Sequence, residues 1–447
     1  MNPQSSPLLT DLYQFTMLQA YFDEGMNEIA VFEFFVRDLP PQRNFLMAAG
    51  LEQTLQFLEN LHFAPEELNW LAGCGRFNKE FIGFLETLRF TGEVHAMPEG
   101  TLFFPHQPIL RITAPITQAQ LVESRLINLL HFQTLIASKA SRSVLVAPGK
   151  LLVDFGLRRA HGAEAGMLAA RAGYLAGYSG TATVLAGAQF GIPLYGTMAH
   201  SYIQAHTDET AAFERFAHSQ PTNTVLLIDT YDTEAAAEKV VKLAPRLQQQ
   251  GIHIKAVRLD SGDLSDHARK VRRILDRGGL NEVGIFCSGN LDEHEIVRLL
   301  AQGAPIDGFG VGTRLDTSAD APYLDCAYKL VEYAGQPRRK RSEGKATWPG
   351  RKQVYRIHAA DGSLDRDILT LENDVQAGTP LIQPFMQAGK RLAAPEPLEE
   401  SRRRAAAELA RLPEYLKQLE TAQRHYVVEI APALHQLTET VDRTANY

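Results

Sequence analysis

The residues best suited to chemistry sit at the ends of short apolar runs in the middle of the chain. The run Ile192-Pro193-Leu194-Tyr195 breaks at Gly196 and leaves Thr197, His200 and Ser201 behind it. Such groups are costly on a buried strand unless each finds a partner. At the carboxyl end of a barrel strand they are what active sites are made of. Five other runs end in the same way. The first is followed by Asp154, Phe155, Gly156, Arg158 and Arg159, the third by Asp229 and Thr230, and the fourth by Arg258, Asp260, Ser261, Gly262 and Asp263. The fifth gives Ser288, Gly289 and Asn290, and the sixth gives Gly310, Gly312 and Thr313. Any one cluster is what a cap or turn would use. Six at one end of consecutive strands read as a single site.

The chemistry divides by residue type. The last two loops are glycine-rich and uncharged, suited to presenting backbone N–H groups to a phosphate. Barrels commonly hold a phosphate in the loops after their last strands. Asp229, Asp260 and Asp263 can hold sugar hydroxyls or Mg²⁺. They lack the crowding of a dedicated metal cage, so the ion would arrive with a phosphate. Arg158, Arg159 and Arg258 can fork onto a carboxylate or phosphate, and Phe155 can stack on a flat ring. The expected ligand is a phosphorylated sugar beside a flat anionic ring.

These residues need parallel strands to align them. Candidate strands are 151–155, 192–195, 224–228, 254–259, 284–287 and 307–311, with helical patterns such as 233–250 and 264–277 between them. The later strands recur at about the 30 residues of a βαβ unit. The expected fold class is α/β: an irregular or incomplete parallel α/β barrel with an α+β domain built from the N-terminal region and part of the C-terminal region. Residues 1–145 read as the N-terminal α+β domain, ending in a long amphipathic helix from about 118 to 142, and 146–335 as the barrel. Residues 336–447 read as strands followed by a charged helix over 396–424. Thr10 or Asp11 is placed to cap a helix through Tyr13 to Phe22.

The totals fit an ordinary globular protein. The 447 residues are 45% hydrophobic and 22% charged, ordinary values. A net charge of −7 disfavours a phosphate-backbone surface, so no nucleic-acid partner is expected. Cys74, Cys287 and Cys326 form no C-x-x-C pair, which excludes a disulfide framework or a cysteine-built zinc site. Met1-Asn2-Pro3-Gln4-Ser5 lacks the basic-then-apolar pattern of a secretory leader, and no apolar stretch reaches the roughly 20 residues of a membrane span. The expected location is cytoplasmic.

Five motifs in order carry a family resemblance: Thr10-Asp11-Leu12-Tyr13-Gln14, Phe155-Gly156-Leu157-Arg158-Arg159, Gly196-Thr197-Met198-Ala199-His200-Ser201, Arg258-Leu259-Asp260-Ser261-Gly262-Asp263 and Phe309-Gly310-Val311-Gly312-Thr313. Together they resemble nicotinate phosphoribosyltransferase, a type II phosphoribosyltransferase family. The likeness continues through Lys345–Arg356 and fades beyond it. The resemblance implies a dimeric enzyme joining nicotinate to phosphoribosyl pyrophosphate with Mg²⁺, coupled to ATP hydrolysis through a phosphohistidine. By motif, His200 would be that histidine, with Asp229 and Asp260 at the ribose or metal. Phe155, Arg158, Thr197, Ser201 and Arg258 would meet nicotinate, and Tyr13 would close the ring slot from the neighbouring subunit. Ser288, Gly289, Asn290, Gly310, Gly312 and Thr313 would hold the 5′-phosphate.

Two rivals stand beside this reading. Nicotinamide phosphoribosyltransferase is similar at Gly180-Thr181-Ala182-Thr183-Val184 but carries an aspartate in the place of Ala182, which would repel nicotinate's carboxylate. The other is a catalytically silent barrel kept as a binding protein. Retention of His200, Asp229, Asp260 and the glycine loops argues against it.

Overall fold

The computed structural model describes residues 6–444, so the first five residues, read above for a leader, lie outside it. The chain forms two compact units. One is built from the chain up to Ser138 and again from Tyr323 onward, and the other is Lys139–Pro322. The first division falls inside the helix Glu123–Val146. The second comes well before the expected position 335, because the strand Cys326–Tyr333 pairs with Ile29–Val36 of the first unit.

In the first unit Ile29–Val36 is apolar on both faces, and seven of its eight residues are buried. It lies between two antiparallel neighbours, Cys326–Tyr333 and Pro108–Pro115, in a seven-stranded sheet. Its one carboxylate, Glu33, is fully buried. The Lys352 ammonium at 2.8 Å and the Lys352 backbone N–H at 2.9 Å partner it. Lys352–His358 and Leu364–Leu371 start a second sheet, to which Val427–Ile430 adds in parallel. The first helix is Leu12–Asp23. Asp11 sits at its N-cap position, yet its carboxylate accepts from the Ser124 hydroxyl instead of capping. The expected helix over 396–424 is broken into Leu398–Ala410 and Glu414–Lys417, with Pro413 between them.

The second unit holds six parallel strands: β1 (Leu151–Asp154), β2 (Gly180–Thr181), β3 (Thr224–Leu227), β4 (Ile254–Leu259), β5 (Gly284–Ser288) and β6 (Gly308–Val311). Their order across the sheet is β2-β1-β6-β5-β4-β3. Val153, Leu226, Val257, Leu259, Ile285 and Phe309 form its buried core. Helices Thr233–Gln249, Leu264–Arg277 and Glu293–Ala301 follow β3, β4 and β5. Each starts on an aspartate side chain, Asp232, Asp263 or Asp292, that accepts a first-turn N–H.

The structure corrects one strand. Residues 192–195 are not a strand: Leu194 makes a single bridge to Thr181 and is half exposed. The place beside β1 belongs to β2, two residues with no apolar run to announce them. No ladder joins Leu194 to β3, and the barrel is incomplete there. Side chains span the gap, as where Asn223 Nδ2 donates to the Gly196 carbonyl at 3.3 Å. Among the described residues no helix is long and apolar enough to cross a membrane.

Candidate active site

Arg258, at the end of β4, organises the site. It is long enough to cross the gap in the barrel, and its fork makes bonds in three directions. Nε donates to Ser288 Oγ at 2.8 Å, Nη1 to Thr197 Oγ1 at 3.2 Å and Nη2 to Asp260 Oδ1 at 2.9 Å. A lysine has no fixed fork to do this. The Ser288 hydroxyl, at the end of β5, also donates to Asp260 Oδ1. Burial pushes the Asp260 carboxyl up, but the Ser288 hydroxyl, the Arg258 guanidinium and His200 outweigh it. The net effect holds Asp260 below the usual aspartate range.

Asp229, just after β3, aims one oxygen at the same loop. Its Oδ2 accepts from the Asp260 backbone N–H at 2.8 Å and the Ser261 hydroxyl at 2.6 Å. Its Oδ1 is buried with no partner. A buried carboxylate oxygen without a donor is costly, and a ligand hydroxyl or cation would satisfy it. His200 begins the short helix His200–Gln204. Its Nδ1 is tied to Thr230 Oγ1 at 3.1 Å, and its Nε2 lies 3.8 Å from Asp260 Oδ2.

Phe155 rests in the turn after β1. Its ring lies 5.7 Å from that of Phe286, and a methyl group on Gly310 would fall 2.6 Å from it. Gly310 is therefore the only residue type that lets the ring lie over β6. A cavity of about 290 Å³ opens beside Phe155, Thr197, Tyr195 and Phe286 and extends toward Asn223 and Lys255. Gly289 has φ +93°, and a methyl there would fall 2.2 Å from the Asp260 carbonyl. Asn290 also has positive φ. Thr313, after Gly312, accepts from Arg159 Nη1 at 3.1 Å, which joins the loop after β6 to the turn after β1.

Phe155, Thr197, His200, Asp229, Arg258, Asp260 and Ser288 are thus one connected group, flanked by the glycine loops. Three expected residues fall elsewhere, and Tyr13 is expected at the neighbouring subunit's site and not at its own. The Asp263 carboxylate caps the helix Leu264–Arg277 through the Ser265 and Asp266 N–H groups, so it is committed to structure. Arg158 and Ser201 are exposed and bond to none of the group. Tyr13, in the first unit, is 47% exposed, and its hydroxyl reaches Glu123 Oε2 at 3.3 Å. Sequence reasoning placed Thr230 at the third strand end but gave it no role, and the structure shows it holding His200. It missed Phe286, which backs Phe155. Phe286 reads as an ordinary core residue.

Comparison with known proteins follows the chain in the same order as the motifs. The model of the nicotinate phosphoribosyltransferase (NAPRTase) N-terminal domain matches residues 8–131, and that of the NAPRTase family matches 151–343. The C-terminal domain model matches 376–438, so the likeness does not end near Arg356 but resumes beyond it. The nicotinate phosphoribosyltransferase pncB2 of Mycobacterium tuberculosis is 48% identical over 95% of this chain and 91% of its own. That of Bacillus subtilis is 41% identical over 79% of this chain and 73% of its own. The crystal structure of human nicotinic acid phosphoribosyltransferase superposes with a TM-score of 0.86 at 28% identity, covering 98% of this chain and 100% of that one. A nicotinate-nucleotide pyrophosphorylase from Pyrococcus furiosus gives 0.75 at 25% identity, covering 92% and 96%. With domain models in register along it and relatives aligned through nearly all of it, this chain belongs to the nicotinate phosphoribosyltransferase family.

Proposed function

We propose that the protein transfers the phosphoribosyl group of phosphoribosyl pyrophosphate to nicotinate. The products would be nicotinate mononucleotide and pyrophosphate, a salvage step toward NAD. The observation that carries this is the Arg258 guanidinium, which lies against the Phe155 ring while bonded to Asp260. The ring nitrogen of nicotinate would attack the anomeric carbon as the bond to pyrophosphate breaks. Asp229 and Asp260 would stabilise the positive charge developing on the sugar. The loops at Gly289 and Gly312 would hold the 5′-phosphate by backbone N–H groups. Mg²⁺ suits the unpartnered Asp229 Oδ1 and would be held by Asp229 and Asp260 together with the substrate. It would neutralise the leaving pyrophosphate.

Ala182, just after β2, brings no carboxylate to this end of the sheet, which supports the acid over the amide. ATP coupling is part of the same proposal. Thr230 occupies His200 Nδ1, leaving Nε2 to accept the γ-phosphoryl group of ATP as the bond to ADP breaks. Water would later take that group and release phosphate. We also assign a homodimer in which Tyr13 reaches the partner's ring slot. Tyr13 is exposed, as are Leu9 and Leu12 close to it in the chain, and Leu12 and Trp70 line one surface pocket, so apolar side chains are open to a partner here. A cytoplasmic location suits three free thiols.

Steady-state turnover tests the function. Pyrophosphate release should match nicotinate consumption one to one, and release without consumption would overturn the assignment. His200→Ala should abolish both ATP stimulation and any acid-labile phosphate label while a slow ATP-independent reaction persists.

A further inference from the structure

Behind the site lies a pair of carboxyl groups to which the reaction gives no role. Asp154 ends β1, and Asp316 ends the short helix Thr313–Asp316 that follows the loop after β6. Both are buried, at 1% and 0% exposure. Asp154 is well supplied with donors: Oδ1 accepts from the Gly156 N–H at 2.7 Å, and Oδ2 from the Thr181 hydroxyl at 2.6 Å. Asp316 has none, since both of its oxygens are buried with no donor in reach. An ionised carboxylate so placed would carry a large desolvation cost. A neutral acid would not, because it can give its own proton to Asp154: Gly156, whose N–H is bonded to Asp154 Oδ1, also lies directly against the Asp316 carboxyl. Burial and the Asp154 charge both push the Asp316 carboxyl well above the ordinary aspartate value.

The pair sits where the two substrate loops meet. A methyl on Gly156 would fall 2.1 Å from the Asp316 carboxyl carbon, so the turn carrying Phe155 lies directly against that group. The Phe155 N–H donates to the Val311 carbonyl at 2.8 Å, and a methyl on Gly312 would fall 2.9 Å from the Phe155 carbonyl. The charged and titratable groups on the elements around Asp316 include Arg314 on its own helix, Arg158 and Arg159 on the adjoining turn, Glu164, Arg171 and Tyr174 on the helix Ala163–Ala176, and Tyr178. The Tyr178 hydroxyl is held protonated by burial and by the charges of Glu293 and Asp154.

We propose that Asp316 is a positioning residue: by donating to Asp154 it latches the turn that carries Phe155 to the loop that carries Gly310 and Gly312. The ring pocket and the phosphate loop are thereby kept in register. The inference rests on the nicotinate phosphoribosyltransferase reading only for which substrates are assayed. Asp316→Asn keeps a donor toward Asp154, and Asp316→Leu removes it at similar volume.

The full-length enzyme and both variants are compared for kcat, for KM of nicotinate and phosphoribosyl pyrophosphate, and for infrared absorption. The Asn variant should hold both KM values within about twofold of the parent. The Leu variant should raise both by about tenfold and change kcat less, the pattern of lost binding common to ground and transition states. The parent's spectrum should contain the carbonyl band of a buried protonated carboxylic acid that Asp316→Asn abolishes, a result that stands even if Asp316→Leu does not fold. Absence of that band, equal damage from Asn and Leu, or unchanged KM values in a folded Leu variant would each overturn the proposal. Failure of the parent to use nicotinate would count against the functional reading alone, because the band is recorded without substrate.

Discussion

The Arg258 guanidinium carbon lies 5.3 Å from the centre of the Phe155 ring, so a cation and an aromatic ring stand side by side. The geometry serves an anionic ring twice over, by stacking on Phe155 and by charge from Arg258. It also fixes Arg258 in place, since a side chain with partners in three directions needs no rearrangement when the substrate enters.

Arg258→Ala should therefore lower kcat/KM for nicotinate by about 10²- to 10³-fold, the usual cost of losing a preorganised charged donor. Arg258→Lys should recover little of it. The charge returns without the fork, and Ser288, Thr197 and Asp260 cannot all be reached at once. Steady-state kinetics on the two variants checks this, and a Lys variant equal to the parent would mean that charge alone suffices.

The Asp260 carboxyl provides a prediction in pH. Its value in the folded protein lies below that of an ordinary aspartate. It therefore contributes stability that is present above the unfolded value of about 3.9 and is lost as pH falls through the folded value. Ser288→Ala removes one of the bonds that lowers it. The parent should melt at a higher temperature than the variant near neutral pH, and the gap should narrow as pH falls below about 4. Melting curves across that range test the sign, and a gap that widens in acid would contradict it.

Arg356 should matter to stability and not to chemistry. It is 1% exposed in the first unit and pairs with Asp367 at 2.8 Å and Glu408 at 2.5 Å. Asp367 is itself fully buried and also accepts from Tyr426 and Gln107. Arg356→Met would strand that carboxylate, a loss of about 3–5 kcal/mol. Denaturant unfolding should show it, while KM for nicotinate in the folded fraction stays near the parent value.

The sequence made some of this architecture legible and concealed the rest for identifiable reasons. β4 and the helix Leu264–Arg277 were readable because an apolar strand, a capping aspartate and an amphipathic helix follow one another there. Asp263 in the same stretch reads as ligand and as cap alike, because a capping aspartate and a metal-binding one are the same residue in the same kind of loop, and the structure shows the cap. The run at 192–195 misled through its apolar composition, whereas β2, with only Gly180 and Thr181, has no periodicity to detect. His200, Arg258 and Asp260 stood out because polar groups at strand ends are informative. Asp316 did not, because its meaning lies in its place near Asp154, beyond the ends of the neighbouring strands β1 and β6 and far away in the chain.

The most direct test gives the purified enzyme nicotinate and nicotinamide together at equal concentration, with phosphoribosyl pyrophosphate, Mg²⁺ and ATP, and identifies the nucleotides by mass. The Arg258–Phe155 pair and the neutral Ala182 predict nicotinate mononucleotide as the dominant product, with pyrophosphate formed in equal amount. A product that is mainly nicotinamide mononucleotide would contradict the account.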